Sequence, residues 1–173
     1  MFLLFSALAF STPPKEAIEG FRISLRQHRV FNSEESDTLL KTACDEGYSL
    51  ACEWRRKSKR KEMEELLTLS ESIFSPYCSE SDTWSCIVAG WSLSQNPQMP
   101  SVINAQAKDP SQAYTYFSKA CDWGNDQGCT EKAKMLFRGV GAEKSTEKSI
   151  ELLSQSCIKE NTEACVILGT FRT

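Results

Sequence analysis

The sequence predicts an all-α protein, an α-α superhelix (solenoid) of four disulfide-locked helix-turn-helix repeats. Its eight cysteines form four pairs, and seven residues separate the members of every pair. The first members, at positions 44, 78, 121 and 157, recur at intervals close to the period of about 34 to 47 residues that is typical of helix-turn-helix repeats. No stretch of useful length alternates apolar and polar residues as a β-strand does. These observations favour helices that stack in four similar units.

Composition excludes several function classes. The 173-residue chain has 40% apolar and 25% charged residues, as globular proteins of one or two domains do. Its net charge of -3 differs from the strongly basic character of nucleic-acid-binding domains, so no nucleic-acid partner is expected. His28 is the single histidine, which excludes a zinc site with two histidines and any catalysis that needs two. No glycine-rich phosphate loop follows a strand, and we expect neither cofactor nor metal.

Residues 1–11 are similar to a secretory signal peptide. Residues 1–10 are apolar except for Ser6, and Ala7-Leu8-Ala9 has the small-x-small pattern that signal peptidase recognises. No positive charge precedes the apolar run, so an apolar turn packed on the first helix is the alternative. The run is shorter than the roughly 20 apolar residues of a membrane span, and no later stretch is long enough. We expect an exported protein, secreted or periplasmic, with an N-terminal helix in residues 12–31.

Helix-capping residues set the repeat boundaries. In three repeats a good N-cap residue lies twelve positions before the first cysteine, namely Asn32, Asp109 and Ser145. The second repeat has Leu66 at that position, which predicts an irregular helix start. The repeats are therefore predicted at about residues 32–65, 66–108, 109–144 and 145–173.

Turn residues predict where the helices end. Gly47 and Gly124 follow a first cysteine by three positions, as a glycine in a left-handed helix C-cap would. Ser75-Pro76 comes just before Cys78, so the first helix of the second repeat is expected to end early or to kink. Residues 94–111 are rich in Ser, Asn, Gln and Pro and predict a long connection between the second and third repeats.

Each cysteine pair is predicted to form a disulfide within its own repeat. Eight cysteines allow 105 pairing patterns, but a spacing repeated four times selects the local pattern, because the units of a uniform stack close alike. The first cysteine ends helix A and the second lies in the first turn of helix B, where antiparallel helices approach closely. By restricting the unfolded chain, four such bridges would stabilise the fold by up to about 10 kcal/mol. A contribution of this size indicates structural bridges in an oxidising compartment. The predicted bridges are Cys44 to Cys52, Cys78 to Cys86, Cys121 to Cys129 and Cys157 to Cys165.

The repeat motif resembles a known family. Lys119-Ala120-Cys121-Asp122-Trp123-Gly124 with Gly128-Cys129, and Thr42-Ala43-Cys44-Asp45-Glu46-Gly47 with Ala51-Cys52, are similar to the Sel-one-like repeat (SLR) family, a relative of the tetratricopeptide repeats. The resemblance is to its cysteine-rich secreted branch, the Helicobacter cysteine-rich proteins. Four residues after the second cysteine the family favours a small residue, and three repeats have one there while the first has Arg56. The three small residues are Gly90, Ala133 and Gly169.

The resemblance implies a scaffold without chemistry of its own, which binds a protein or peptide through the concave face that the A helices build. The candidate contact residues are Lys41, Tyr116, Lys119 and Trp123. The fourth repeat stops at Thr173, eight residues past Cys165, so we expect a C-terminus that is frayed, covered by a partner or truncated.

Two alternative functions remain open. The first is a β-lactamase-like or penicillin-binding hydrolase, an activity linked to the cysteine-rich branch. Ser58 and Ser145 each precede a lysine by three residues, but the Ser-Asp-Asn and Lys-Thr-Gly elements of serine β-lactamases are missing, and helix capping explains Ser145. The second is an adaptor with a peripheral envelope contact, which docks anionic surfaces through a basic run in the first repeat. The competing interpretation of the run is a solvated helix whose charge is balanced by the glutamates that follow. The run consists of Arg55, Arg56, Lys57, Lys59, Arg60 and Lys61.

Overall fold

A computed structural model of the protein describes residues 14–26, 34–60, 63–96, 99–103 and 107–170. Within these ranges the chain forms nine α-helices, a short 3-10 helix and two short strands. The predicted all-α solenoid is confirmed. The helices are α1 (Lys15–Arg26), α2 (Glu34–Asp45), α3 (Ser49–Arg60), α4 (Met63–Phe74), α5 (Thr83–Ser94), α6 (Pro110–Asp122), α7 (Asp126–Arg138), α8 (Thr146–Ile158) and α9 (Thr162–Thr170).

Four helix pairs follow α1, and one disulfide closes each of them. The pairs are α2/α3, α4/α5, α6/α7 and α8/α9, and consecutive helices pack on each other along the chain. The bridged Cα atoms lie 4.4 to 4.9 Å apart, and each bridge joins the last turn of an A helix, or the segment just after it, to the first turn of a B helix. The bridges are Cys44–Cys52, Cys78–Cys86, Cys121–Cys129 and Cys157–Cys165.

The long connection contains structure that the sequence does not predict. Strand β1 (Gln95–Asn96) pairs with β2 (Met99–Ile103) in an antiparallel ladder with an irregular register. The strands lie within the segment 94–111 that was predicted as an irregular loop. None of the described helices combines the length and the apolarity that crossing a bilayer requires.

Each A helix buries the same two positions in every repeat. A small residue is followed four positions later by a large apolar one, which places both on one face of the helix. All eight side chains are between 0% and 4% exposed, so this face of each A helix points into the core of the stack. The small residues are Ser36, Ser70, Ala113 and Ser149, and the large ones are Leu40, Phe74, Phe117 and Leu153.

Local capping follows the sequence closely in the third and fourth repeats. The backbone N–H of Gln112 donates to the Asp109 side chain over 3.0 Å, and that of Lys148 donates to Ser145 Oγ over 3.4 Å. Gly124 has the left-handed φ of 83° that its cap position requires. Residue 32, His28 and the proposed signal peptide lie outside the described residues.

The second repeat departs from the predicted boundaries. Helix α4 already includes Met63, so it crosses the boundary predicted between residues 65 and 66, and Leu66 is a fully buried residue within the helix rather than its start. Helix α4 ends at Phe74, and the 3-10 turn Ser75–Tyr77 leads to Cys78. The proline at position 76 explains this early end, because its ring and missing N–H cannot continue an α-helix.

Helix α1 joins the first two repeats. Among consecutive helices of the repeats, α3 and α4 pack on each other least extensively, and α3 has the exposed Arg56 where α5 and α7 have the buried small residues Gly90 and Ala133. The ring of Phe21 packs edge-on against Trp54 of α3 and Phe74 of α4, with ring centres 4.9 and 5.7 Å away. All three rings are at most 4% exposed. An aromatic cluster from α1 therefore connects units whose own helices meet loosely.

Candidate binding surface

Helix α6 carries three of the four candidate contact residues on one stripe. Tyr116, Lys119 and Trp123 follow each other at intervals of three and four residues, which places them on the same face of the helix. The Lys119 ammonium lies 6.0 Å from the centre of the Tyr116 ring, at the outer limit of a cation-π contact. The Trp123 side chain, at the C-cap of α6, is 37% exposed. The stripe thus presents the exposed Trp123 and Lys119 beside Tyr116, which is half-buried against the core.

The turn after α6 holds Trp123 in place. The Trp123 N–H donates to the Lys119 carbonyl over 3.0 Å, and the Cys121–Cys129 bridge closes the turn. Asn125 accepts the N–H groups of residues 127 and 128 as the N-cap of α7, and its Nδ2 donates to Thr83 Oγ1 of the preceding repeat over 2.9 Å. A bridge, two caps and a contact between repeats therefore fix the backbone from which the Trp123 side chain extends.

Lys41 is separate from the α6 stripe. It lies on α2, where its ammonium forms an ion pair with Asp45 one helical turn further on, and both side chains are 59% exposed. No described ion pair or ring contact joins Lys41 to Tyr116, Lys119 or Trp123. The stripe on α6, rather than the four residues together, is the candidate surface.

The basic run of the first repeat is not a simple solvated face. Arg55 donates to both carboxylate oxygens of Asp37, over 2.8 and 3.0 Å, and this hydrogen bonding raises the pKa of the guanidinium. Lys57 is only 8% exposed and forms an ion pair with Glu65, whose pKa that hydrogen bond lowers. Ser58, which the solvated helix would expose, is 6% exposed. Arg56, Lys59 and Arg60 are exposed, and Lys61 lies outside the described residues.

A polar cluster that the sequence does not reveal joins the third and fourth repeats. Glu131 on α7 is fully buried, and Lys134 Nζ lies 2.7 Å from its Oε2 and 2.9 Å from Oε1 of Glu163 on α9. Gln127 Nε2 donates to both carboxylates, over 3.1 and 2.8 Å. Burial lowers the pKa of Lys134, but the two carboxylates outweigh burial and raise it above its usual value. These contacts explain why a glutamate is tolerated in the core.

Sequence analysis also missed the N-caps of the B helices. Four residues before the second cysteine, Asp82, Asn125 and Asn161 each accept a backbone N–H from the first turn of α5, α7 or α9. Asp and Asn are good N-cap residues, so their fixed distance from the cysteines was a usable signal. The first repeat has Tyr48 at this position. Burial, together with the nearby Tyr77, raises the pKa of the Tyr48 phenol to about 12.

The structure gives Ser145 a role in helix capping. Ser145 Oγ accepts the Lys148 backbone N–H, as an N-cap does, which accounts for its position. Among the residues with described positions, no group of three or more His, Cys, Asp or Glu side chains could bind a metal ion.

Similarity to known proteins lies at the level of structure. No protein-family model and no curated protein matches the chain. The structure is similar to that of Helicobacter pylori cysteine rich protein B, with 16% sequence identity and a TM-score of 0.43. The similarity covers 86% of this chain and 94% of that protein. The helix pairs and the four disulfides described above establish the repeat fold on their own.

Proposed function

We propose that this protein is an exported repeat scaffold that binds a protein or peptide partner through the A-helix side of its stack, with the α6 stripe as the principal contact. The observation that carries the proposal is the exposed Trp123, on a turn closed by a disulfide and in line with Tyr116 and Lys119. Tryptophan and tyrosine are typical hot-spot residues, because their large side chains have few rotatable bonds and lose little conformational freedom on binding. A partner that presents carbonyl or carboxylate oxygens and an apolar side chain suits this stripe.

Export is the second part of the proposal. The support is that all eight cysteines are bonded in pairs, since stable structural disulfides are characteristic of oxidising compartments. The apolar residues 1–10 support it from the sequence side. Mass spectrometry of protein secreted with its own N-terminus, digested without reduction, tests both points. Cleavage near Ala9 with four local bridges is the expected result, and an intact Met1 with free thiols would refute export.

Binding is tested by capturing partners from an envelope extract on the immobilised, oxidised chain and measuring the affinity of the purified complex. Trp123→Ala and Lys119→Ala should each weaken the complex by about tenfold or more. Lys144→Ala is the matched control, because Lys144 also lies over an aromatic ring, 5.9 Å from the centre of Phe137, on another part of the surface. Equal effects of Lys119→Ala and Lys144→Ala would show that the α6 stripe is not the contact.

The two alternative functions give different results in simple assays. A hydrolase would turn over a chromogenic cephalosporin in proportion to purified protein, and Ser145→Ala or Ser58→Ala would abolish the turnover. An anionic-surface adaptor would bind acidic vesicles in a salt-sensitive manner. The ion pairs of Arg55 and Lys57 leave less of the basic run to such a surface.

A further inference from the structure

The B helices of the second and third repeats differ in character on one face. Three positions, two residues before and two and five residues after the second cysteine, lie on the same face of the helix. In α5 this face is apolar, packs in the large core cluster and brings two indole rings edge-on, with their centres 6.2 Å apart. In α7 the same face is polar. The three residues are Trp84, Val88 and Trp91 in α5, and Gln127, Glu131 and Lys134 in α7.

The apolar core of the described residues is divided between the third and fourth repeats. One cluster of buried apolar residues extends from α1 into the third repeat. A second, smaller cluster joins α7 to the fourth repeat and consists of Ala133, Leu153 and Ala164. In addition, the Lys134 ammonium connects Glu131 of α7 with Glu163 of α9, over 2.7 and 2.9 Å. The fourth repeat therefore docks through a small apolar cluster and a cluster of charges.

Stacking alone does not require these charges. Buried ion pairs often stabilise a fold no more than apolar side chains of similar size do, and α5 shows that this stack can use an apolar face at the same positions. An ion pair differs from an apolar contact in that it depends on protonation. Glu131 is fully buried and the Lys134 side chain is 12% exposed, so neutralising the carboxylates would leave a buried ammonium without a counter-charge.

The carboxylates, rather than the ammonium, respond to acid. Burial lowers the pKa of Lys134, but the carboxylates of Glu131 and Glu163 outweigh burial and raise it, so the lysine stays charged at neutral and acidic pH. Carboxylates in general take up protons near about pH 4. Only their ionised form pairs with Lys134, so this contribution to docking is present at neutral pH and is lost as the pH falls. Asp126 and Lys159, the other charged pair between α7 and α8, lie 3.0 Å apart and are 30% and 57% exposed, so they contribute less.

We propose that the charge cluster of Glu131, Lys134 and Glu163 is an acid-sensitive switch, which docks the fourth repeat at neutral pH and releases it in acid. The first three repeats share one apolar core and stay assembled when the fourth is released. Release uncovers Ala133, the α7 residue that shares the small core cluster with Leu153 of α8. The switch does not involve the α6 stripe, so it can be tested without a binding partner.

Backbone-amide NMR spectra of the isotope-labelled, oxidised full chain, recorded between about pH 7 and about pH 4, test the switch. Signals of residues 146–170 should lose their native dispersion at a pH where those of residues 63–94 and 110–138 still have it. A single transition that involves all repeats together overturns the proposal. So does a fourth repeat that keeps its native signals until the others have lost theirs.

Variants of the full chain decide whether the charge cluster is responsible. Glu131→Gln combined with Lys134→Met removes the buried charges, so the separate acid transition of residues 146–170 should disappear. Glu163→Gln changes a half-buried residue and should fold; it leaves Lys134 one carboxylate and should raise the midpoint of the transition by about half a pH unit or more. The matched control is Asp122→Asn with Lys132→Met, which removes an ion pair within the third repeat and should leave the midpoint unchanged. A midpoint that Glu163→Gln does not move, or that moves equally in the control, overturns the proposal.

Discussion

Substituting alanine at two equivalent glycines should have opposite effects on stability. Each glycine lies four residues after the second cysteine of its repeat, Gly90 in the middle of α5 and Gly169 as the next-to-last described residue of α9. Alanine gains up to about 1 kcal/mol of helix propensity over glycine. At Gly169 this gain meets no obstacle, because nothing described lies within 4 Å of the new methyl group. Gly169→Ala should therefore stabilise the protein by up to about 1 kcal/mol.

At Gly90 the same methyl group would overlap the Phe117 ring, with a nearest separation of 2.5 Å. Phe117 is fully buried, so the ring cannot move aside without disturbing the core. Overpacking of this kind costs about 1 to 3 kcal/mol, which exceeds or cancels the propensity gain. Gly90→Ala should lower the free energy of unfolding by up to about 2 kcal/mol. The difference between the two variants then measures the packing contribution.

Urea unfolding of the oxidised proteins, followed by far-UV circular dichroism, provides the free energies. Phe117→Leu is the informative background, because a smaller side chain over residue 90 should make Gly90→Ala much less harmful. A coupling of about 1 kcal/mol or more in this double-mutant cycle is expected. If the two alanine variants shift the unfolding midpoint equally, or the cycle shows no coupling, the stacking contact does not contribute as argued.

Three further predictions follow from local features. Glu160 has a left-handed φ of 66°, which costs a non-glycine residue about 1 to 2 kcal/mol. Glu160→Gly should therefore raise the free energy of unfolding by about 0.5 to 1 kcal/mol, because glycine adopts this φ without strain. An unchanged urea midpoint would contradict this prediction. Replacing Cys157 and Cys165 by alanine should cost about 2.5 kcal/mol, the loop-entropy value for nine residues, and a loss below 1 kcal/mol in urea unfolding would count against it. Burial raises the pKa of Tyr48 from 10 to about 12, so the neutral phenol stabilises the fold fully below pH 10 and this contribution is lost as the pH rises toward 12. The free energy of unfolding of Tyr48→Phe should therefore fall less across this range than that of the unchanged protein. Identical pH profiles would show that Tyr48 is not responsible.

Local features of the fold were predictable because their causes are local. Cysteine spacing, the N-caps Asp109 and Ser145, and the glycine after the third helix A each act within a few residues of chain. The early end of α4 follows from Pro76 in the same way. Such signals can be read one repeat at a time, which is why the repeat fold and the helix pairs could be predicted from one sequence.

Contacts between repeats were not predictable in this way. The position of Phe21 between Trp54 and Phe74 depends on three separate parts of the chain, and nothing near Phe21 indicates it. From the sequence alone a glutamate such as Glu131 is expected to face solvent. Its burial depends on contacts with Lys134 and through it with Glu163, which only the structure shows. The candidate site has the same limit, because the sequence put Lys41 in one set with Tyr116, Lys119 and Trp123 and could not show that Lys41 forms a separate ion pair on α2.

The disulfides and the contacts between repeats stabilise different levels of the molecule. Every bridge lies within one helix pair, so none of them restrains one repeat relative to the next. The three junctions rest instead on the Phe21 cluster, on Phe117 over Gly90, and on the polar cluster of Glu131. In a stack held by nearest-neighbour contacts, the relative orientation of the repeats depends on these junctions. These three junctions therefore set how the A helices of successive repeats lie relative to one another, whereas the bridges set the stability of each unit.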